Sequence, residues 1–122
     1  MITFTRMDAS PDGETHFDDV TEKTTRVTLS PDRLGGAMTS PMPATDVTFL
    51  RMDAGYDRDL HPAPRRQLVF VSAGELEVTV SDGESRRFGP GSMFLAEDTT
   101  GKGHQTWAVG SDGCSVVWVA CQ

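Results

Sequence analysis

From Asp46 to the C-terminus the chain is a succession of short β-rich runs separated by glycine, proline and aspartate, and no stretch carries a convincing helical period. Residues 47–52 and 67–73 are rich in β-branched and aromatic side chains and are bounded by turn formers, the pattern of strands. Residues 75–80 alternate apolar and polar positions cleanly, which predicts a half-exposed strand with Leu76, Val78 and Val80 facing inward. The Asp82-Gly83 pair that follows suits the positive φ of a tight hairpin. Residues 85–88, 92–96, 106–109 and 114–120 supply further short strands. Regular short strands with turn signals between them predict an all-β sandwich or barrel.

The first third of the chain is less regular. Residues 8–19 combine turn formers with acidic groups and read as a loop, and residues 20–29 alternate loosely enough for an early strand. Residues 30–45 hold three prolines, Gly35-Gly36, Met38 and Met42, with no sustained period. They read as a long loop, of the kind that often serves as a lid. The expected organisation is one domain, with N-terminal strands and a lid-like loop over 1–46 and the barrel core over 47–122. A chain of 122 residues buries one modest core.

Eleven basic against 18 acidic residues give a formal charge of −7, which opposes phosphate backbones and anionic lipid. Nucleic acid and membranes are therefore not expected partners. The N-terminus has neither the basic nor the long apolar region of a secretory signal, and no window reaches the apolar length of a membrane span, so the expected location is cytoplasmic. Cys114 and Cys121 flank one predicted strand, roughly 20 Å apart if extended, beyond disulfide reach. Two free thiols are expected.

One segment carries chemistry. Gly55, His61, Ala63, Gln67 and Gly74 have the spacing of a first cupin motif, and residues 88–104, from Phe88-Gly89-Pro90-Gly91 to Gly101-Lys102-Gly103-His104, are similar to a second. Over roughly residues 47–119 the chain therefore resembles a single-domain member of the RmlC-like cupin superfamily. That resemblance implies a small antiparallel jelly-roll β-barrel and a commonly paired homodimer. In the family pattern the first motif supplies two histidines and a glutamate as metal ligands, and the second motif a further histidine. Here the corresponding positions hold His61, Ala63 and Gln67, with His104 two residues later than the simplest spacing, so the metal motif is degenerate.

If residues 60–71 are extended, alternation puts His61, Ala63, Arg65, Gln67, Val69 and Val71 on one face, which the resemblance assigns to the barrel interior. Pro62 and Pro64 then fall on the other face and make the entrance irregular. His61 and His104 are the candidate proton carriers, and Gln67 is a neutral amide able to orient a carbonyl or hydroxyl. Arg65, rather than Arg66, is the expected inward guanidinium for a carboxylate or enolate. Glu97, Asp98 and Lys102 surround His104 in sequence and are candidates to bind substrate or to orient that imidazole. His16 is a candidate third imidazole reaching over the mouth. Trp107 is expected to face outward, Trp118 is undecided by parity, and Phe70 and Phe94 are expected in core or interface.

Three functions compete. The first is a metal-independent acid–base isomerase, cyclase or lyase acting on a small polar organic substrate through His61, His104 and Gln67, with no cofactor. The second is an iron-, manganese- or nickel-dependent oxygenase or isomerase, with the metal on His61, His104 and a third group such as Gln67, Glu97 or His16. Ala63 and Gln67 weigh against it, because a catalytic metal generally needs three firm protein ligands. The third is a barrel that binds a small molecule without turning it over.

Overall fold

Twelve strands and no helix make up residues 1–31 and 35–122, the residues described by this computed structural model. They are β1 (Ile2–Ala9), β2 (Thr15–Glu22), β3 (Thr25–Thr28), β4 (Gly35–Met38), β5 (Ala44–Met52) and β6 (Asp57–His61), followed by β7 (Gln67–Ala73), β8 (Glu75–Val80), β9 (Ser85–Phe88), β10 (Met93–Ala96), β11 (His104–Val109) and β12 (Cys114–Cys121). A six-stranded sheet runs in the order β2-β1-β10-β7-β12-β5, and a four-stranded sheet in the order β6-β11-β8-β9. β3 and β4 form a separate hairpin. The β1–β10 pair is parallel and the other pairs are antiparallel. The all-β jelly-roll expectation holds.

The core lies between the two sheets. Leu76, Val78 and Val80 on β8 are at most 1 % exposed, as the alternation of that strand requires. They belong to one cluster with Met7, Val69, Val71, Phe94 and Val116 from the larger sheet. Burying each such side chain contributes about 1.5–3 kcal/mol. The turn between β8 and β9 is closed by the Gly83 amide on the Val80 carbonyl, with Gly83 at φ 99°. The described residues contain no helix long and apolar enough to cross a membrane.

Two expectations for the first third are corrected. Residues 8–19 are mostly strand rather than loop, because β1 and β2 pair from Ile2–Glu22 to Ala9–Thr15 and only 10–14 turn. Of the acidic residues that suggested a loop, Asp18 and Asp19 sit on exposed positions of β2, an edge strand, and Asp8 on β1, while Asp12 and Glu14 stay in the turn; Thr15 and Phe17 point into the core. Within 30–45, Gly35–Met38 forms a strand against β3, and residues 32–34 lie outside the described residues. Pro41, Met42 and Pro43 lie over the outer face of the larger sheet, beside Ile2, Leu68 and Phe70, away from the cavity described below.

Cys114 and Cys121 are free thiols at opposite ends of β12, and burial pushes the Cys114 thiol up from its ordinary value. Trp107 faces outward, with the Arg87 guanidinium 5.9 Å from its ring. Phe94 is buried in the core, and Phe70 is on the outer face, 36 % exposed.

Candidate active site

Between β6 and β11 of the smaller sheet and β7, β10 and β12 of the larger, the core opens into a cavity of about 80 Å³. Its apolar wall is Met52, Val69, Leu76, Phe94 and Trp118, and its polar groups are Tyr56, Arg58, His61, Gln67, His104 and Thr106.

His61 ends β6 and His104 begins β11, and the two are paired residues across that ladder. Their rings are tilted by 50° with centroids 4.7 Å apart. Gly103 makes this approach possible, because at φ 85° it packs against the His61 carbonyl and the Pro62 nitrogen, where a Cβ would collide. Each imidazole is held through Nδ1. That of His61 donates to the Asp59 carbonyl at 2.8 Å, and that of His104 donates to the Asp98 carboxylate at 2.6 Å. A carbonyl and a carboxylate act as acceptors, which assigns Nδ1–H to both rings and leaves Nε2 of each without a protein partner among the described residues.

The two histidines are not electrostatically equivalent. Burial, opposed by the Asp59 carbonyl and reinforced by the neighbouring His104 and Arg58, lowers the His61 pKa below its ordinary value. A proton on His104 forms an ion pair with the fully buried Asp98, whereas no carboxylate lies within ion-pair distance of His61 among the described residues. Gln67 is 8 % exposed at the start of β7, and its side-chain amide has no hydrogen-bond partner among the described residues. It remains available to a ligand.

His61, Gln67 and His104, chosen from the sequence, are thus brought together. Arg65, Glu97, Lys102 and His16 are not among the cavity lining. The strand expected across 60–71 breaks after His61, so alternation does not carry from His61 to Gln67. Pro64 consequently lines the cavity, and Arg65 turns outward to a two-bond pair with Asp46. Arg66, expected to be the more solvated of the two, is the more buried, and it pairs with Glu97 at 2.5 Å. Glu97 also lies 3.7 Å from Arg6. Lys102 pairs with Glu14, and His16 bridges Asp82 at 2.7 Å and Ser10 at 2.9 Å on the β1–β2 turn. Of the acidic neighbours of His104 in sequence, Asp98 is the one that orients it.

Sequence reasoning missed Tyr56 and Arg58. On β6, three steps from Arg58 to His61 match two steps from Thr106 to His104 on β11. The extra residue is a bulge, which turns two side chains of odd separation to the same side. No local pattern announces it. Trp118, undecided by parity, faces inward because it pairs with the buried Val69.

No family model and no curated protein matches the sequence. Solved structures do. A Cupin 2 conserved barrel domain protein from Salinispora arenicola matches at 16 % identity and TM-score 0.53, over 82 % of this chain and 75 % of the other. The fold is the cupin barrel. KdgF from a Halomonas species matches at 26 % identity and TM-score 0.51, over 69 % of this chain and 76 % of its own. A sugar phosphate isomerase of the cupin superfamily from Silicibacter pomeroyi matches at 15 % identity and TM-score 0.52, over all of this chain and 71 % of its own. Other structural matches are covered over as little as 62 % of their own length.

The donor set at this site departs from the metal pattern of the first motif. Ala63, at the second histidine position, is aliphatic and buried, and its amide is engaged by the Asp98 carbonyl. Gln67 offers a neutral oxygen in place of a carboxylate. No cluster of three His, Cys, Asp or Glu able to hold a metal occurs among the described residues. Two imidazoles and one amide fall short of the three firm ligands of a catalytic metal centre, so the residues present do not fit a resident metal.

Proposed function

We propose that this cupin is an acid–base catalyst, an isomerase, cyclase or lyase for a small polar organic substrate, working without a metal. The observation that carries this reading is the facing pair His61 and His104, each tied through Nδ1 and each with Nε2 free at one cavity. His61, held neutral by its surroundings, is the base that takes a proton from carbon. The enolate oxygen so formed accepts hydrogen bonds from the Gln67 amide and the Thr106 hydroxyl. His104, oriented by Asp98, delivers a proton at a second position, and solvent resets the pair. Isomerisation is named for the Silicibacter pomeroyi protein that shares the fold; the fold alone assigns no activity.

The test is solvent deuterium entry into small carbonyl compounds, followed by proton NMR. Exchange that disappears in His61→Ala and in His104→Ala, and that survives chelation, supports the proposal. Saturable binding with no exchange would make the barrel a binding module. Loss on chelation with recovery on one divalent metal would establish the metal-dependent alternative.

A further inference from the structure

We propose that Arg58 docks a carboxylate, so that the substrate of the His61–His104 site is a small organic acid. The assignment of chemistry rests on the acid–base reading above, whereas the binding step stands on its own.

In a chain with 18 acidic and 11 basic residues, arginines facing solvent are expected to find carboxylates. Arg6, Arg65, Arg66, Arg86 and Arg87 each do so, and Arg51 is instead engaged by the Ser115 hydroxyl and the Asp112 carbonyl. Arg58 has neither an ion-pair nor a hydrogen-bond partner among the described residues, although Asp57 and Asp59 flank it. Strand geometry keeps them apart. Asp57 lines a groove with Glu77 and Trp107 on the outer side of the smaller sheet, and Asp59 offers its backbone carbonyl to His61. The bulge turns Arg58 to the cavity side.

The cavity is the reverse of the protein around it. One guanidinium and two imidazoles line it, and no Asp or Glu does, while the whole chain carries −7. Walls of low polarity concentrate that local positive field and favour an anion. Asp98, behind His104, is engaged with that imidazole and fully buried. A guanidinium meets a carboxylate through two parallel hydrogen bonds, which fixes orientation as well as charge. The volume of about 80 Å³ is well below that of pockets for drug-sized ligands, which suits a few-atom acid. An acid anchored at Arg58 presents its neighbouring carbon and oxygen to His61, His104 and Gln67.

The experiment follows the histidine ring signals by NMR during titration with pyruvate and acetoacetate, each compared with its neutral amide. Both acids should give a saturable response at His61 and bind about tenfold or more tightly than their amides. Arg58→Gln should remove that preference, and Arg58→Lys, which keeps charge but loses the planar fork, should restore part of it. Arg58 is exposed on an edge strand, so the backbone spectrum of both variants should match the wild type and show the loss to be local. Equal binding of acid and amide, unchanged affinity in Arg58→Gln, or no saturable response to either acid would each overturn the proposal. So would inorganic phosphate binding more tightly than the acids with the same dependence on Arg58. Deuterium entry into the bound acids reads the chemistry separately: binding through Arg58 without exchange sinks the catalytic reading and leaves the carboxylate site standing.

Discussion

The buried carboxylate of Asp98 accepts the Nδ1–H of His104 at 2.6 Å through one oxygen, while its other oxygen has no protein partner among the described residues. A carboxylate with a single side-chain partner is committed to that partner. It holds the ring and supplies the opposite charge when the ring is protonated.

Asp98→Asn keeps an acceptor but removes the charge, and turnover should fall by a factor of about 10²–10⁴, the usual worth of a general acid or base. Ligand affinity should change far less. Ring nitrogen shifts of His104, read by NMR with pH, distinguish lost charge compensation from simple misfolding. Affinity falling in step with turnover would assign Asp98 a structural role alone.

His61 should remain the free base below the ordinary histidine value of about 6.5, since its pKa is lowered in the folded protein. Any rate that requires neutral His61 therefore keeps its plateau through neutral pH and falls only on the acid side of that value. The same shift links to folding: the unfolded chain takes up the proton first as pH falls, so this group's stabilisation is present above about pH 6.5 and is lost on descending through the folded value. Arg58→Gln removes one of the charges that depress His61, so a histidine NMR titration of that variant should show its pKa moving upward.

Gly103→Ala and Gly83→Ala separate backbone strain from collision. Both glycines have positive φ, at 85° and 99°, and an alanine there costs roughly 1–2 kcal/mol. Around Gly83 a Cβ meets open space, whereas at Gly103 it meets the His61 carbonyl. Thermal unfolding should show the Gly103 variant to be clearly the less stable. It should also disturb the His61 and His104 ring signals, which Gly83→Ala should leave in place.

Gln67→Glu introduces an anionic oxygen beside the two imidazoles, completing three ionic or imidazole donors. Elemental mass spectrometry after reconstitution should find little tightly bound divalent metal in the wild type and more in this variant, with the increase abolished by His61→Ala. Near-stoichiometric metal in the wild type would refute the metal-free reading.

The succession of strands and their inner faces was legible because both are local properties. Leu76, Val78 and Val80 alternate with polar neighbours, and Asp82-Gly83 closes the hairpin within four residues of where that alternation stops. The early loop over 8–19 was misread for the same reason. Its acidic residues resemble a turn locally, which Asp12 and Glu14 do form, and only the β1–β2 pairing shows that Asp18 and Asp19 occupy the exposed side of an edge strand.

The sequence by itself determined the all-β barrel, the positions of His61 and Gln67 within the first motif, and the replacement of two metal ligands by Ala63 and Gln67. Tertiary structure alone decided that His61 and His104, 43 positions apart in the chain, stand side by side, that Arg58 enters the cavity and Arg65 leaves it, and that Glu97, Lys102 and His16 are taken up by partners elsewhere. The reason is physical. Alternation and turn preference are written in neighbouring residues, whereas a bulge, a strand break and an ion pair depend on the register between strands that the chain brings together only when it folds.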